Sequence, residues 1–315
     1  MNLESKIQEW AKELDFDQVG IASLDAPLEG ISFLTDWVDS QMHAGMSYMA
    51  DQMPARKDIN LVLPGAKTAI VFSASYAQPI EYSKEKIKVA RYAQNRDYHN
   101  VLRKKLKKIV SNLSISLPHE QFRVCVDSAP VMERELAQRA GIGWAGKNTM
   151  LINSHRGSYF LISSILTTAI LEPSAPAIGG CGTCRACIDA CPTGAIVPFK
   201  DRWAVDSRQC ISYYTIEHKD EIPESVAEKM SDWTFGCDIC QEVCPFNQTR
   251  ESQPDRAKLT PIAEFRSRIH PTHEDLASMT VAEWDEYSQG TPIRRAGRKG
   301  MLRNSQINLK NIQKS

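Results

Sequence analysis

Eight of the nine cysteines fall between residues 181 and 244. Cys181, Cys184, Cys187 and Cys191-Pro192 form C-x2-C-x2-C-x3-C-P, the bacterial ferredoxin spacing in which the fourth cysteine serves a second cluster. Cys237, Cys240 and Cys244-Pro245 repeat the last three members, and Cys210 supplies the missing one. The cross-over rule therefore assigns Cys181, Cys184, Cys187 and Cys244 to one 4Fe-4S cluster, and Cys191, Cys210, Cys237 and Cys240 to the other. A pair of zinc sites is the alternative. Zinc favours two CxxC knuckles per site, with no third cysteine three residues on. Cys125 is left over in an expected strand, where a small buried apolar side chain fits.

Two further segments invite chemistry. Asp127 ends the alternating run Phe122, Val124, Val126, just before Ser128-Ala129-Pro130. Strand ends that face a helix start are where α/β proteins place reactive groups. An N-cap or a local ion pair explains the same aspartate equally well, and it acts as a general acid only if burial raises its pKa. Gly141 to Asn148 reads GIGWAGKN, which matches G-x-G-x-x-G and nearly a P-loop. It follows a helix and leads into an expected strand at Thr149–Ile152, the wrong context for a dinucleotide fingerprint, and Asn148 lacks the magnesium-binding hydroxyl. The glycines still imply close backbone approach to something, such as a large flat cofactor.

The elements that must hold these groups are readable from periodicity. Leu3, Ile7, Trp10 and Leu14 predict an amphipathic helix, and Leu102, Leu106, Ile109 and Leu113 a second one with lysines on its other faces. Strands are expected at 18–22, 67–76, 122–126 and 159–166, and a helix between Pro130 and Gly141. This alternation predicts an α+β or α/β fold in three parts. They are an N-terminal α/β domain over 1–172, a ferredoxin-like two-cluster domain over 173–250 opened by the linker PSAPAIGG, and a short helical segment over 251–315.

The chain has 315 residues, 42% of them hydrophobic, and zero formal net charge. The charge is segregated. Residues 1–60 hold eleven acids against four bases, whereas 86–108 hold nine bases against Asp97 alone. Arg294, Arg295, Arg298, Lys299 and Arg303 form a second basic run. Such blocks suit either a solvated helix face or contact with a polyanion. The N-terminus lacks a signal-peptide core, and no stretch reaches eighteen apolar residues. A cytoplasmic, non-membrane, monomeric protein with metal-bound cysteines is expected.

Several segments together resemble one family, epoxyqueuosine reductase, the cobalamin-dependent iron–sulfur enzyme of tRNA queuosine synthesis. They are Arg91-Tyr92-Ala93, Arg96 to Arg103, Val126 to Pro130, Ala140 to Asn148, Gly157 to Phe160, Cys191 to Ile196, Cys210 to Glu217 and Gly236 to Gln241. The resemblance spans about residues 1–305. It implies a corrinoid, cob(II)alamin, over the N-terminal domain and reduction of the wobble-base epoxide of epoxyqueuosine to the alkene. It assigns proton donation to Asp127, and corrinoid contacts to Arg56, Ala90, Asp127, Asn148, Leu151, Ile162 and Ser212. For tRNA it points to His218, Arg103, Lys104, Arg294 and Arg295, and for electrons to a small donor such as ferredoxin or flavodoxin. Many members continue into helical repeats, of which 293–304 looks like the opening. The competing readings are a corrinoid reductive dehalogenase, a ferredoxin-like electron carrier, and an iron–sulfur protein that binds RNA without turnover.

Overall fold

The computed structural model describes residues 2–248 and 259–314. Ten strands are formed among the described residues. They are β1 (Gln18–Ser23), β2 (Thr68–Ser75), β3 (Lys88–Val89), β4 (Phe122–Cys125), β5 (Trp144–Ala145), β6 (Leu151–Ile152), β7 (Phe160–Thr167), β8 (Ile196–Phe199), β9 (Arg202–Val205) and β10 (Trp233–Phe235). The main sheet runs β1-β2-β7-β4, and every pairing in it is antiparallel. Alternation of strands and helices here gives the α+β arrangement; no parallel βαβ crossover is built within this sheet.

The period of two decides what each face of the sheet buries. Ile70, Phe72 and Ile165 pack against Ile7 and Ala11 of the helix Leu3–Glu13 and against Leu102, Leu106, Ile109 and Leu113 of the helix Tyr98–Ser116. Ala69, Val71 and Leu166 point the other way, onto Leu136 and Ala137 of the helix Glu133–Arg139. Asn2 and Asp97 cap the helices Leu3–Glu13 and Tyr98–Ser116, accepting from the backbone N–H of Ser5 at 2.9 Å and of His99 at 3.0 Å. Caps of this kind contribute about 1 kcal/mol each.

The helix after β4 begins at Glu133, later than Pro130 predicts. Residues 126–132 form a turn instead, in which Asp127 adopts a left-handed φ of 52° and Ser128 N–H donates to the Val126 carbonyl. Asp127 therefore sits in a turn six residues ahead of the helix and is not its N-cap.

The expected linker is strapped down. Ser174 Oγ accepts from Ile21 N–H at 3.0 Å, Ser174 N–H donates to the Ile21 carbonyl, and Ala177 N–H reaches the Gln138 carbonyl. Past the cysteines, β10 pairs in parallel with β3, joining the region of residue 90 to that of residue 235. The C-terminal helix Gly297–Lys314 docks onto this joint. Asn304 Nδ2 donates to the carbonyls of Thr215 and Thr234, both at 2.9 Å, and Asn308 Nδ2 donates to the Asp232 carbonyl at 3.0 Å. No helix among the described residues is long and apolar enough to cross a membrane.

Candidate active site and cluster region

A cavity of about 1110 Å³ opens where the start of the helix Tyr98–Ser116, the Asp127 turn, the segment Tyr48–Arg56, Glu217, Phe235 and Pro292–Arg295 converge. That volume exceeds what a small metabolite fills. Asp127 stands in its wall, with its side chain 58% exposed to the cavity. One oxygen, Oδ2, accepts from Tyr98 Oη at 2.8 Å and from His99 Nε2 at 3.0 Å. The other ring nitrogen of His99, Nδ1, lies 2.7 Å from Asp97 Oδ1. Glu133 Oε1 accepts from the backbone N–H of Asp127 at 2.8 Å.

These contacts decide where protons rest. Burial by itself would raise Asp127, but the hydrogen bonds from His99 and Tyr98 outweigh it and hold the carboxyl below its ordinary value. Burial would depress His99, but its two carboxylate partners lift it to about 9. At neutral pH the pair is imidazolium and carboxylate. Burial, reinforced by the charge of Asp127, pushes Glu133 up to about 8, so it holds a proton at neutrality. The condition set for Asp127 as an acid in its own right, a pKa raised by burial, is not met; the mobile proton is on its neighbour. Tyr98, His99, Asp97 and Glu133 escaped the sequence reading as site residues. Asp97-Tyr98-His99 opening a basic helix was the available signal, since an aspartate N-cap places the next two side chains at one helix end.

The cysteines gather in two sets. Burial raises Cys187 and Cys244; the neighbouring charges of Cys181, Cys244 and Cys184 raise Cys187 further, and those of Cys181 and Cys184 raise Cys244. Burial likewise raises Cys237, with the charges of Cys210 and Cys191 adding to it, and Cys240, with those of Cys237, Cys210 and also Cys187 of the first set. Burial pushes the Cys187 thiol up to about 11, so thiolates packed this way require metal charge beside them. Among the described residues, no group of three or more His, Cys, Asp or Glu side chains is arranged to hold a single metal ion. Four thiolates per set, in the C-x2-C-x2-C-x3-C-P spacing, suit a 4Fe-4S core. The second set adjoins the cavity through the chain itself. Cys210 opens the helix Ile211–Ile216, which ends against the cavity wall at Ile216 and Glu217, and β10 runs from Trp233 to the wall at Phe235 and on to Cys237.

The remaining expected site residues divide. Arg56 lines the cavity; its Nη1 donates to the Val131 carbonyl at 3.3 Å, while its buried Nε has no hydrogen-bond partner among the described residues. An orphaned donor in a large cavity fits a bulky polar cofactor. Ala90, Asn148, Leu151, Ile162 and Ser212 are not among the cavity-lining residues. Ala90 is buried with its N–H on the Phe235 carbonyl, Asn148 Nδ2 donates to the Cys240 carbonyl at 3.2 Å, and Leu151 lies in β6. Ile162 is half-buried in β7, and Ser212 half-buried in the first turn after Cys210.

Of the residues expected at tRNA, Arg294 and Arg295 sit at the cavity rim, each about half exposed, on Asp285 and Glu217 respectively. Lys104 is exposed and Arg103 half-buried on the helix Tyr98–Ser116. His218 Nε2 lies 2.9 Å from the Glu221 carbonyl, and its ring packs on Tyr213 and Tyr214.

A two-cluster cysteine framework set behind a large cavity with a protonated histidine–carboxylate pair defines an iron–sulfur oxidoreductase built around a bulky cofactor. Comparison with known proteins narrows this class. Residues 180–247 match the model of the 4Fe-4S double cluster binding domain, and residues 56–128 match that of "Epoxyqueuosine reductase QueG, DUF1730". The epoxyqueuosine reductase of Leadbetterella byssophila is 42% identical over 242 residues, covering 77% of this chain and 79% of that protein. That of Prochlorococcus marinus is 36% identical over 299 residues, covering 94% and 93%. The solved epoxyqueuosine reductase of Streptococcus thermophilus superposes with a TM-score of 0.86 at 26% identity, over 99% of this chain and 82% of that one. A further epoxyqueuosine reductase, solved with a tRNA-Tyr epoxyqueuosine-modified stem loop, gives 0.85 at 26% identity with the same coverage. The chain belongs to the epoxyqueuosine reductase family. It is accordingly an oxidoreductase that takes two 4Fe-4S clusters and cobalamin.

Proposed function

We propose that this protein reduces epoxyqueuosine to queuosine at the wobble position of tRNA, with the chemistry done in the cavity that Asp127 faces. The observation that carries this reading is the His99–Asp127 pair, which places an imidazolium proton 3.0 Å from a carboxylate oxygen in the wall of a cavity backed by cysteines. Removing the epoxide oxygen as water consumes two electrons and two protons. When bound, the clusters and the corrinoid supply the electrons. The cysteine set Cys191, Cys210, Cys237 and Cys240 is the one next to the cavity, and Cys181, Cys184, Cys187 and Cys244 form the outer one. Arg56 is the side chain best placed to meet a polar group of the cofactor, because its Nε is otherwise unsatisfied.

The chain's own part is proton delivery. Asp127 relays a proton to the departing oxygen and is recharged by His99, while Asp97 holds the imidazole in orientation and keeps it charged. Solvent entering the open mouth provides the second proton. The tRNA loop approaches past Arg294 and Arg295, and a wobble base splayed out of its stack reaches Asp127. The phosphates lie along the lysines of the helix Tyr98–Ser116. Residues 1–172 serve as the corrinoid-binding part, 173–250 as the ferredoxin-like part, and the helices beyond as a support. The setting is the cytoplasm, the active species a monomer, and the electron source a small protein such as ferredoxin or flavodoxin.

The test is single-turnover reduction of tRNA carrying epoxyqueuosine by the holoenzyme, read as nucleosides after digestion. Wild-type protein is expected to yield queuosine, and Asp127→Asn to retain both clusters and cobalamin while losing about 10²-fold or more in rate. Loaded wild-type protein that leaves the epoxide intact would sink the activity, and an unimpaired Asp127→Asn would sink the relay.

A further inference from the structure

The glycine-rich run 141–148 is a hairpin that reaches the cysteine loops. β5 and β6 pair through Trp144↔Ile152 and Ala145↔Leu151, and the turn between them closes with Gly146 N–H on the Met150 carbonyl at 2.8 Å. From this turn Lys147 Nζ donates to the carbonyls of Gly182 and Cys184, at 2.7 and 2.8 Å. Both carbonyls belong to the loop of the outer cysteine set. Trp144, three residues earlier in β5, is buried together with Cys244, and Cys181 and Phe246 pack on the same cluster of side chains. Its ring is only 6% exposed, closed in by Gly179 and an edge contact from Phe246 at 5.1 Å. Yet the indole Nε1–H has no hydrogen-bond partner among the described residues.

A buried N–H without an acceptor is costly, so it marks an acceptor that the protein atoms do not supply. Sulfur is the acceptor that two neighbouring thiolates and a cluster would bring. We propose that this hairpin sets the reduction potential of the outer cluster, with Trp144 donating an N–H···S hydrogen bond to it and Lys147 holding a positive charge against its loop. Hydrogen bonds to sulfur and nearby positive charge both favour the reduced, more negative cluster and so raise its potential. The outer site is thereby tuned to accept electrons from a donor before passing them inward. Gly143 and Gly146 fit the same purpose, since a methyl group on either would meet Ile152 and push the hairpin off its seat.

The experiment is an EPR-monitored redox titration of the holoprotein, which reads the clusters without tRNA and so fails or succeeds independently of the proposed activity. Trp144→Phe keeps the ring and deletes the N–H; Lys147→Met deletes the charge; Lys147→Arg restores it. Trp144→Phe and Lys147→Met are each expected to lower the same one of the two titration waves, by an amount that shifts its reduced-to-oxidised ratio about tenfold at a fixed potential, roughly 59 mV for one electron. Lys147→Arg should titrate close to wild type, and iron content should stay constant in all three. Waves that do not move, that move together, or that move on different clusters in the two variants overturn the proposal. So does loss of iron in Trp144→Phe with an unshifted Lys147→Met, which would make the hairpin a packing element only.

Discussion

His99 lies between two carboxylates that together overcome its desolvation, and the direction of that balance has consequences in pH. With a folded-state pKa near 9 against an ordinary value of 6.5, the imidazolium is present throughout the neutral range. Its contribution to stability is full below pH 6.5 and is lost as the pH rises through 9. Turnover that draws on this proton must fall across the same upper window. His99→Gln is expected to slow single-turnover reduction by about 10²-fold or more and to abolish the alkaline limb near pH 9. Asp97→Asn preserves a good N-cap but removes one of the two charges, so it should move the limb to lower pH with little loss of stability. A limb unmoved in Asp97→Asn would show that some other group governs it. Asp127 itself stood out in the sequence, because the alternating run of β4 stops just short of it. The place of its proton did not, because it depends on a helix start 28 residues earlier folding back across the turn.

At the scale of elements, hydrophobic periodicity located the four strands of the main sheet and the helices Leu3–Glu13 and Tyr98–Ser116 to within a few residues, since each buries a regular face; the short strands β3, β5 and β8–β10 and the helix Gly297–Lys314 carry no such pattern. What periodicity lacks is the pairing direction. Two adjacent apolar strands look alike whether parallel or antiparallel, and only the contacts of β2 with both β1 and β7 build the antiparallel sheet. Local turn chemistry also stayed hidden, as in the left-handed Asp127 that delays the next helix. The sheet's tightest joint lies at Gly20 in β1. A methyl group there would drive into the backbone carbonyl oxygen of Ala140, which ends the helix Glu133–Arg139, and backbone cannot swing aside as a side chain can. Gly20→Ala is therefore expected to cost at least about 1–3 kcal/mol, although alanine suits a strand better than glycine does. Thermal unfolding measures this, and a melting temperature equal to wild type would mean that β1 and that helix are not pressed together as described. Because Glu133 opens that helix and holds the Asp127 N–H, the same change should also slow turnover.

Across the whole molecule, the composition shifts at residues 173 and 251 read as boundaries, yet the chain crosses them with hydrogen bonds. β3 pairs with β10, and Asn304 and Asn308 tie the last helix to the strand before Cys237. Short polar side chains in a helix gave no hint of that role, since asparagines at the same spacing suit a solvated face equally well. The charge pattern read from the sequence also divides once it is placed. Arg303 is consumed internally, donating to the carbonyls of Tyr214 at 2.8 Å and His218 at 3.0 Å, and Arg298 donates to the Met279 carbonyl. Arg294 and Arg295 are paired with acids at the cavity rim. Lys104, Lys107 and Lys108 are carried on the helix whose first turn holds His99, with Lys104, Lys107 and Lys108 all exposed. None of the three lines the cavity, and the proposed tRNA path would carry phosphates along them. Replacing all three by alanine should weaken tRNA binding and flatten its salt dependence. The slope of log affinity against log salt should fall by about 0.7–0.9 for each phosphate that the lysines no longer neutralise. Single-turnover rates at saturating tRNA should stay near wild type, because none of the three lines the cavity. The complementary change, Arg294→Ala with Arg295→Ala, removes charge at the mouth, so it should affect reaction of a bare anticodon stem-loop as much as of full tRNA. If the lysine triple leaves both affinity and slope unchanged, the nucleic acid does not follow this helix, and its path must be sought from the arginine rim alone.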